Sequence, residues 1–267
     1  PAVVAGELLL ALAYQEAQSR YDLTHVTTRA ERAGDGWRLS GEKRFVLDGN
    51  VADRLVVSAR TAGGEREAEG ITLFLLDARA PGVQTTRGNM LDGRNAATVR
   101  LEGVAVAPGD LLGAVGQGAA LLAQVIDRAT AALCAEMIGG MDAAFAMTLD
   151  YLKTRQQFGV VIGSFQALKH RAAVMFTEIE LARSAAMAAA MALDEQHPRA
   201  AEIVAAAKAR CSETAMLVAH EGVQMHGGIG MTDEHDIGFY LKRARTAELT
   251  FGDAAWHRAR FATLQNY

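Results

Sequence analysis

Cysteine, proline and aromatic residues are all scarce in this sequence: its 267 residues include two cysteines, four prolines and 6% aromatic residues. Two cysteines, Cys134 and Cys211, cannot form a disulfide framework. Their Ala-rich surroundings predict buried, reduced thiols in a cytoplasmic protein. The longest purely apolar run, 185–193, is far shorter than the roughly 20 residues that span a bilayer, so no membrane partner is expected.

Charge of one sign is also lacking, since the net charge is only -4. Such a chain has no general attraction to polyanions, and nucleic acid is therefore not an expected partner. The histidines do not follow the spacing of a metal site, and no cluster of cysteine and histidine accompanies them. With half of its residues apolar and 22% charged, the chain has the composition of a globular protein.

The first part of the chain has the composition of short strands. Segments 54–60 and 71–77 are rich in β-branched and large apolar residues, and pairs such as Asp48-Gly49 and Asp92-Gly93 are typical of turns. Strands that follow one another without long helices predict an antiparallel barrel or sandwich. We assign this domain to residues 1–112.

The second part, residues 113–267, has a helical period. Apolar residues recur at alternating spacings of three and four from Phe165 to Leu193, which predicts a helix of about 30 residues. Three further helical segments are expected at about 117–156, 199–225 and 236–264. Four long antiparallel helices with short connections form a four-helix bundle. The predicted fold class is therefore α+β.

Two motifs stand at the ends of predicted helices. Segment 155–159 begins with arginine and ends with glycine, and a helix C-terminus with a favourable cation and a glycine cap accounts for it. Segment 226–230 contains three glycines in four residues, of which a C-cap explains only one. Clustered glycines let backbone amides approach a ligand such as a pyrophosphate closely.

Taken together, these motifs resemble the acyl-CoA dehydrogenase family of flavoproteins. The resemblance is carried by segments 151–159, 162–168, 223–235, 240–243 and 251–258, and by 41–43 and 48–49 in the first part. It covers essentially the whole chain. It implies a middle β-barrel domain followed by a C-terminal four-helix bundle, with FAD as the cofactor.

The resemblance also assigns cofactor residues. In this family FAD lies at a dimer interface, between the middle domain of one subunit and the helical domain of its mate. Arg155 matches an arginine near the pyrophosphate of the neighbour's FAD, a role that suits a guanidinium. Gln166 is equally well explained as an exposed helix residue. The residues assigned to FAD are Arg155, Phe158, Gln224, Gly227, Gly228, Gln166 and Phe45.

Two segments of the first domain depart from the family pattern. Segment 15–21 lacks the prolines and glycines of the family's flavin-supporting stretch. Phe45 replaces the family's tryptophan and is expected to pack against the flavin ring. Leu47 replaces its threonine and has no hydroxyl to offer the flavin. Flavin binding by this domain is therefore expected to be weakened.

The catalytic base departs as well. Removal of an α-proton requires a carboxylate, and the family's usual glutamate aligns with Gly252. Asp253 is the nearest carboxylate, and we predict it as the base. The family's other base position falls near Ala129, with Asp127 two residues before it. Glu136 lies on the same helix, and its alternative role is that of a buried, hydrogen-bonded or interface carboxylate.

The resemblance implies α,β-desaturation of an acyl-CoA, with an electron-transfer flavoprotein as acceptor and a homodimer or homotetramer as the assembly. The closest branch in motif handles dicarboxylic, branched or sterol side-chain acyl-CoAs in bacteria. The main alternative is a catalytically silent subunit that completes the FAD site of a hetero-oligomer. A flavin oxidase or monooxygenase is a third hypothesis. The chain begins at Pro1 without the family's N-terminal helical domain, which predicts two domains of a three-domain protein.

Overall fold

The computed structural model describes all residues, 1–267, and they divide into two compact units, Pro1–Val125 and Ile126–Tyr267. The first unit is built from strands. Their bounds are β1 Leu10–Ala13, β2 Arg29–Ala33, β3 Gly36–Leu47, β4 Arg54–Arg60, β5 Ile71–Asp77, β6 Val83–Asn89, β7 Asn95–Val106 and β8 Leu111–Leu112. The strands predicted at 54–60 and 71–77 are confirmed at both ends.

The eight strands form one mostly antiparallel sheet, in the order β6-β7-β3-β2-β4-β5-β8, with β1 paired in parallel to β4. The predicted α+β fold class, with an antiparallel strand domain before a helical domain, is confirmed, although the sheet does not close. Its two edges explain this: β8 has only two residues, and β6 exposes polar side chains along nearly its whole length. Its core contains Trp37 and Phe74, whose ring centroids are 5.7 Å apart in an edge-to-face contact.

A single arginine organises the segment that follows β4. The guanidinium of Arg60 donates hydrogen bonds to the carbonyls of Thr24, Val26, Ala62, Glu65, Glu67 and Glu69 at 2.8–3.4 Å. The arginine is only 7% exposed, and buried carbonyls of irregular chain need such donors because no strand or helix pairs them. Arg60 therefore fixes the irregular chain between β4 and β5.

The second unit is helical. Its helices are α1 Gly118–Thr154, which begins in the first unit, α2 Gln166–Asp194, α3 Ala200–His226, α4 Ile237–Leu249 and α5 Ala254–Leu264. The predicted stripe of α2 is confirmed from Ala172 to Ala189, all of whose positions are buried. Helix α3 contacts α2, α4 and α5 and is the most buried of the five. Cys134 and Cys211 are free and buried in this core, as predicted.

The predicted fourth helix is wrong in one respect: the chain forms two helices, α4 and α5, separated at residues 250–253. Thr250 caps α4 in an extended conformation, and Gly252 adopts φ +116°, which no helix permits. Helix α1 is long and apolar enough to cross a membrane by length and composition alone, a test that core helices of globular proteins also pass. Its buried residues, from Ala131 to Leu152, join the core of the second unit.

Candidate functional site

A cavity of about 450 Å³ lies at one end of the helical unit, where α1 and α3 end and α2 begins. Arg155, Gln224, Gly227 and Gly228 line it, so four of the seven predicted cofactor residues converge here. Arg171 contributes a second guanidinium, and no carboxylate is among the lining residues. The cavity therefore has the charge required by an anionic ligand.

Each glycine of the segment after α3 has a different explanation. Gly227 caps α3 with φ +66°, and a Cβ on Gly230 would lie 2.7 Å from the carbonyl oxygen of Val223. Gly228 needs neither explanation, because its φ is not positive and nothing lies within 4 Å of where a Cβ would be. The fold itself does not require glycine at 228, and a methyl group there would meet only open space.

Arg155 and Phe158 belong to a short hairpin that the sequence did not reveal. Helix α1 ends at Thr154, and strands β9 Gln156–Gln157 and β10 Val160–Val161 follow. Phe158 and Gly159 form the turn with φ +55° and +78°, as a type I′ turn requires. Gly159 is therefore a turn residue, and its interpretation as a helix cap is wrong.

Phe158 and Gln166 do not line the cavity. Phe158 is 90% exposed and meets only Phe165, edge to face with ring centroids 6.0 Å apart. A bulky residue at positive φ is strained, and here no burial compensates for the strain. Gln166 is the exposed first residue of α2. Unsupported strain of this kind is concentrated at ligand sites and interfaces, which favours a functional role for Phe158.

Three rings pack together beside the cavity, and two of them, Tyr151 and His226, also line it. His226 lies 4.5 Å from the Tyr151 ring and 4.3 Å from that of His235, centroid to centroid. Its Nδ1 is 2.7 Å from the carbonyl oxygen of Gly222, so Nδ1 carries the proton and donates. Burial lowers the pKa of His226, and the nearby His235 lowers it further. The ring is therefore neutral at pH 7 and acts as a packing element.

The predicted base, Asp253, lies in the break between α4 and α5. It is the N-cap of α5, and its Oδ1 accepts a hydrogen bond from the backbone N–H of Trp256 at 2.8 Å. A capping carboxylate satisfies an otherwise unpaired helix N–H. Asp253 is partly exposed, so its position suits a structural role and still allows contact with a ligand.

Gly252 has no room for the glutamate that the family carries at this position. A Cβ there would lie 2.6 Å from the Trp256 ring and 2.8 Å from Nε2 of His257. Its φ of +116° would also strain any side-chain-bearing residue. The absence of the glutamate is thus built into the packing of this break.

Two buried residues that the sequence did not single out hold the break in place. The Lys208 ammonium donates to the carbonyls of Glu248 at 2.9 Å and Gly252 at 2.8 Å, and to the hydroxyl of Ser212 at 3.0 Å. His257 Nε2 is 3.0 Å from the carbonyl oxygen of Phe251. Burial lowers the pKa of Lys208 to about 8 and that of His257 to about 3.

The carboxylates considered on α1 are both engaged. Asp127 forms two hydrogen bonds with the Arg260 guanidinium, at 2.6 and 2.9 Å, and is 7% exposed. Such a bidentate pair is a structural link between α1 and α5. Glu136 pairs with Arg243 at 2.6 Å, but its side chain is 50% exposed. The expectation that Glu136 is paired is confirmed, and the expectation that it is buried is wrong.

In the strand unit, Phe45 lies at an irregularity of β3, where the register with β7 shifts between Lys43 and Val46. Its φ is +55° and its side chain is 40% exposed, so this phenylalanine is strained without being buried. Leu47 ends the same strand and is half-buried. Phe45 is presented outward, as a residue that packs against a ligand must be.

Segment 15–21 is fixed by a buried ion pair despite its missing prolines and glycines. The carboxylate of Glu16 accepts hydrogen bonds from Lys43 Nζ at 2.7 Å and from the backbone N–H groups of Thr27 and Thr28 at 2.8 and 3.0 Å. Both charged side chains are at most 2% exposed. Burial acts to raise the pKa of Glu16, but Lys43 and the hydrogen bonds from Thr27 and Thr28 together outweigh it, and the pKa is lowered.

Comparison with known proteins gives two family matches, one for the strand-rich part of the chain and one for the helical part. The family description "Acyl-CoA dehydrogenase, middle domain" matches residues 11–104, and "Acyl-CoA dehydrogenase, C-terminal domain" matches residues 116–263. Mitochondrial isovaleryl-CoA dehydrogenase of Pongo abelii is 30% identical over 97% of this chain and 62% of its own length. The chain thus spans less than two thirds of this relative.

Solved structures agree with these matches. Butyryl-CoA dehydrogenase from Megasphaera elsdenii has a TM-score of 0.94 and 27% identity, covering 100% of this chain and 70% of its own. A chain from a structure of the electron transferring flavoprotein of Acidaminococcus fermentans has a TM-score of 0.94 and 30% identity, covering 99% and 70%. The chain belongs to the acyl-CoA dehydrogenase family.

Proposed function

We propose that the protein is an FAD-dependent acyl-CoA dehydrogenase that desaturates an acyl-CoA thioester between its α and β carbons. The family is one of FAD-binding dehydrogenases. One observation carries the proposal for this chain: its cavity combines two guanidiniums, no carboxylate and a glycine, Gly228, that the fold does not require.

The residues of the cavity fit the pyrophosphate end of FAD. Arg155 supplies a guanidinium without an ion-pair partner in the protein, and a guanidinium suits phosphate oxygens. Gly227 and Gly228 allow the backbone to approach the ligand closely, and Gln224 offers an amide. The family resemblance still assigns Phe158, Gln166 and Phe45 to FAD. The positive φ and the exposed side chains of Phe158 and Phe45 support their assignment.

Desaturation requires a base for the α-proton and an acceptor for the β-hydride, and FAD supplies the acceptor when it is bound. In this chain Asp253 is the carboxylate proposed to take the α-proton. Its hydrogen bond with the backbone N–H of Trp256 fixes its orientation. Lys208 and His257 hold the backbone on which it stands.

A second candidate function is favoured by Gly252. Because the family's base position cannot accommodate a side chain here, the chain suits a catalytically silent subunit that completes the FAD site of a hetero-oligomer. In that case its partner subunit supplies the base. The two candidates share the cofactor cavity and differ only in whether Asp253 removes a proton.

The proposed partners follow from the family. They are an acyl-CoA substrate, an electron-transfer flavoprotein as electron acceptor, and a second subunit, identical or related. A chain from a structure of an electron transferring flavoprotein is among the solved proteins to which this chain is similar, which supports the electron-transfer proposal.

The test uses the purified protein, alone and with the product of its neighbouring gene. The visible flavin spectrum is recorded while isovaleryl-CoA or butyryl-CoA is added. Bleaching by the lone protein supports the homomeric enzyme and contradicts the silent subunit. Flavin that is bound or bleached only with the neighbour supports the silent subunit. Absence of flavin from both preparations, even after FAD is added, would sink the proposed function.

Asp253→Asn separates the two roles of this residue. Asparagine is as good an N-cap as aspartate, so thermal stability should stay unchanged. Loss of a general base lowers a rate about 10²–10⁴-fold, and the rate of flavin bleaching should fall by that factor. An unchanged rate in an active lone protein means that Asp253 is not the base.

Gly228→Ala tests the cavity directly. The added methyl group meets no protein atom, so it should crowd only bound FAD. Overpacking of about 1–3 kcal/mol should then weaken FAD binding several-fold or more. Gly139→Ala is the matched control. Gly139 lies on α1, does not line the cavity, and also has no atom within 4 Å of where its Cβ would be. Equal FAD affinity in both variants would contradict the assignment of Gly228.

A further inference from the structure

We infer that Arg171 is a second phosphate-binding residue of the cavity, which takes the pyrophosphate of the dinucleotide together with Arg155. The inference rests on the proposed function and extends it to a residue of α2 that the family motifs do not include. Arg171 lines the cavity one helical turn after Leu168, which also lines it. Arg155 follows the end of α1 and Arg171 lies on α2, so two different elements bring guanidiniums to the cavity.

The way in which Arg171 is held favours this role. Its Nε donates to the Glu221 carboxylate on α3, in an ion pair between α2 and α3. The two terminal nitrogens of the guanidinium have no hydrogen-bond partner in the protein. A guanidinium engaged only through Nε keeps its forked terminal pair for a second anion, and that fork matches two phosphate oxygens.

A fully engaged arginine in the same unit provides a comparison. Arg260 uses both terminal nitrogens on Asp127, so its fork is occupied by the protein. Glu221 orients Arg171 but uses only one of its donor nitrogens, Nε. Its side chain is 39% exposed and lines the cavity, so contact with a ligand does not require the Glu221 ion pair to break. This ion pair also pre-organises the guanidinium, which limits the conformational entropy lost when a ligand binds.

The charge of the cavity agrees with two phosphates. Arg155 and Arg171 are the charged residues of its lining, and His226 is neutral. Glu221, the ion-pair partner of Arg171, is not among the lining residues, and Arg155 has no ion-pair partner in the protein. The uncompensated charge of the lining is therefore that of Arg155, and Arg171 adds a second guanidinium. A site for a dianionic pyrophosphate requires such an excess of cations.

The test compares Arg171→Gln with Arg210→Gln in the purified protein after its flavin has been removed. Arg210 forms the other ion pair between α2 and α3, with Glu178 at 2.7 Å, and its side chain is 36% exposed. Both variants therefore lose one comparable interhelical ion pair. FAD, ADP and riboflavin are the probes, and their dissociation constants are measured by calorimetry or flavin fluorescence at two salt concentrations.

Arg171→Gln should weaken FAD and ADP about tenfold, reduce the salt dependence of their binding, and leave riboflavin, which has no phosphate, unchanged. Arg210→Gln should bind all three as the unaltered protein does. The inference is overturned if Arg171→Gln binds FAD and ADP normally, or loses riboflavin equally. Binding of ADP that depends on Arg171, without any binding of FAD, would refute the proposed function and uphold the inference.

Discussion

The ion pair between Glu16 and Lys43 permits the most quantitative prediction. Lys43 is fully buried, and it also donates to the hydroxyl of Ser58 at 3.2 Å and to the carbonyl of Tyr14 at 3.4 Å. Only Glu16 balances its charge. Glu16→Gln keeps the size and most hydrogen-bonding capacity of the side chain but leaves the ammonium without an anion. We expect this substitution to destabilise the strand unit strongly.

Two limits give the magnitude. Removing one partner of a buried pair costs about 3–5 kcal/mol. Lys43 can instead lose its proton, and at pH 7 this costs about 5 kcal/mol from the ordinary lysine pKa of about 10.4. Burial already lowers the pKa of Lys43 to about 8 with Glu16 present. The free energy of unfolding should therefore fall by about 3–5 kcal/mol, and no further.

The assay is urea unfolding followed by the fluorescence of Trp37, which lies in the strand unit, in a Trp256→Phe background. Glu42→Gln is the matched control, because Glu42 and Arg44 form an exposed ion pair on the same strand. Exposed pairs contribute about 0–1 kcal/mol. Equal losses in the two variants would refute the reasoning.

The same pair predicts the response to acid. The pKa of Glu16 is lower in the folded protein than in the unfolded chain. Its contribution is therefore complete above about pH 4.3, the ordinary glutamate value, and is lost progressively as the pH falls further. Unfolding measured from pH 7 to pH 3 should show a steeper loss of stability in the unaltered protein than in Glu16→Gln. Parallel curves would contradict the assignment.

Three further substitutions have definite expectations. Gly252→Ala should lower the free energy of unfolding by about 2–5 kcal/mol, through overpacking and positive φ together, as measured by urea unfolding followed at Trp256; a neutral effect would contradict the crowding. Phe158→Gly should raise thermal stability by about 1 kcal/mol, because strain is relieved and no burial is lost, while FAD affinity falls. Arg60→Met should increase hydrogen exchange across residues 61–70, whereas Arg38→Met, at the surface, should not.

Local sequence patterns explain which elements could be predicted. The strands at 54–60 and 71–77 are short apolar runs between turn residues, and the buried stripe of α2 has regular apolar spacing. Both patterns are local, so the strands and the stripe follow closely from them. The hairpin after α1 has only two residues in each strand, and its turn places phenylalanine where glycine or asparagine is expected. No local preference in the sequence indicates that turn.

Closure of the sheet and the break in the last helix depend on tertiary contacts. Strand β6 pairs with β7 alone, and whether it also meets β8 cannot be read from its alternation. The break at 250–253 is held by Lys208, which is 44 residues away in sequence from Gly252. A sequence pattern that is apolar on one face continues across this break, so it predicts one helix where two form.

The site divides in the same way. Four of the predicted cofactor residues belong to sequence motifs and line one cavity in the structure: Arg155, Gln224, Gly227 and Gly228. Arg171 belongs to none, and its neighbour Glu221 lies 50 residues away in sequence. Only the structure shows that Arg171 on α2 pairs with Glu221 on α3 through Nε and keeps its two terminal nitrogens without a protein partner. Pairwise geometry of this kind has no signature in a single sequence.

The crowding at Gly252 also bears on how this lineage can change. A single substitution that restored glutamate would place its Cβ within 2.6–2.8 Å of two rings and on a backbone angle suited to glycine. Trp256 and His257 would have to change first, and His257 also anchors the carbonyl of Phe251. A glutamate at position 252 therefore requires compensating changes in the residues around it. Asp253 is the carboxylate that this break presents without such changes.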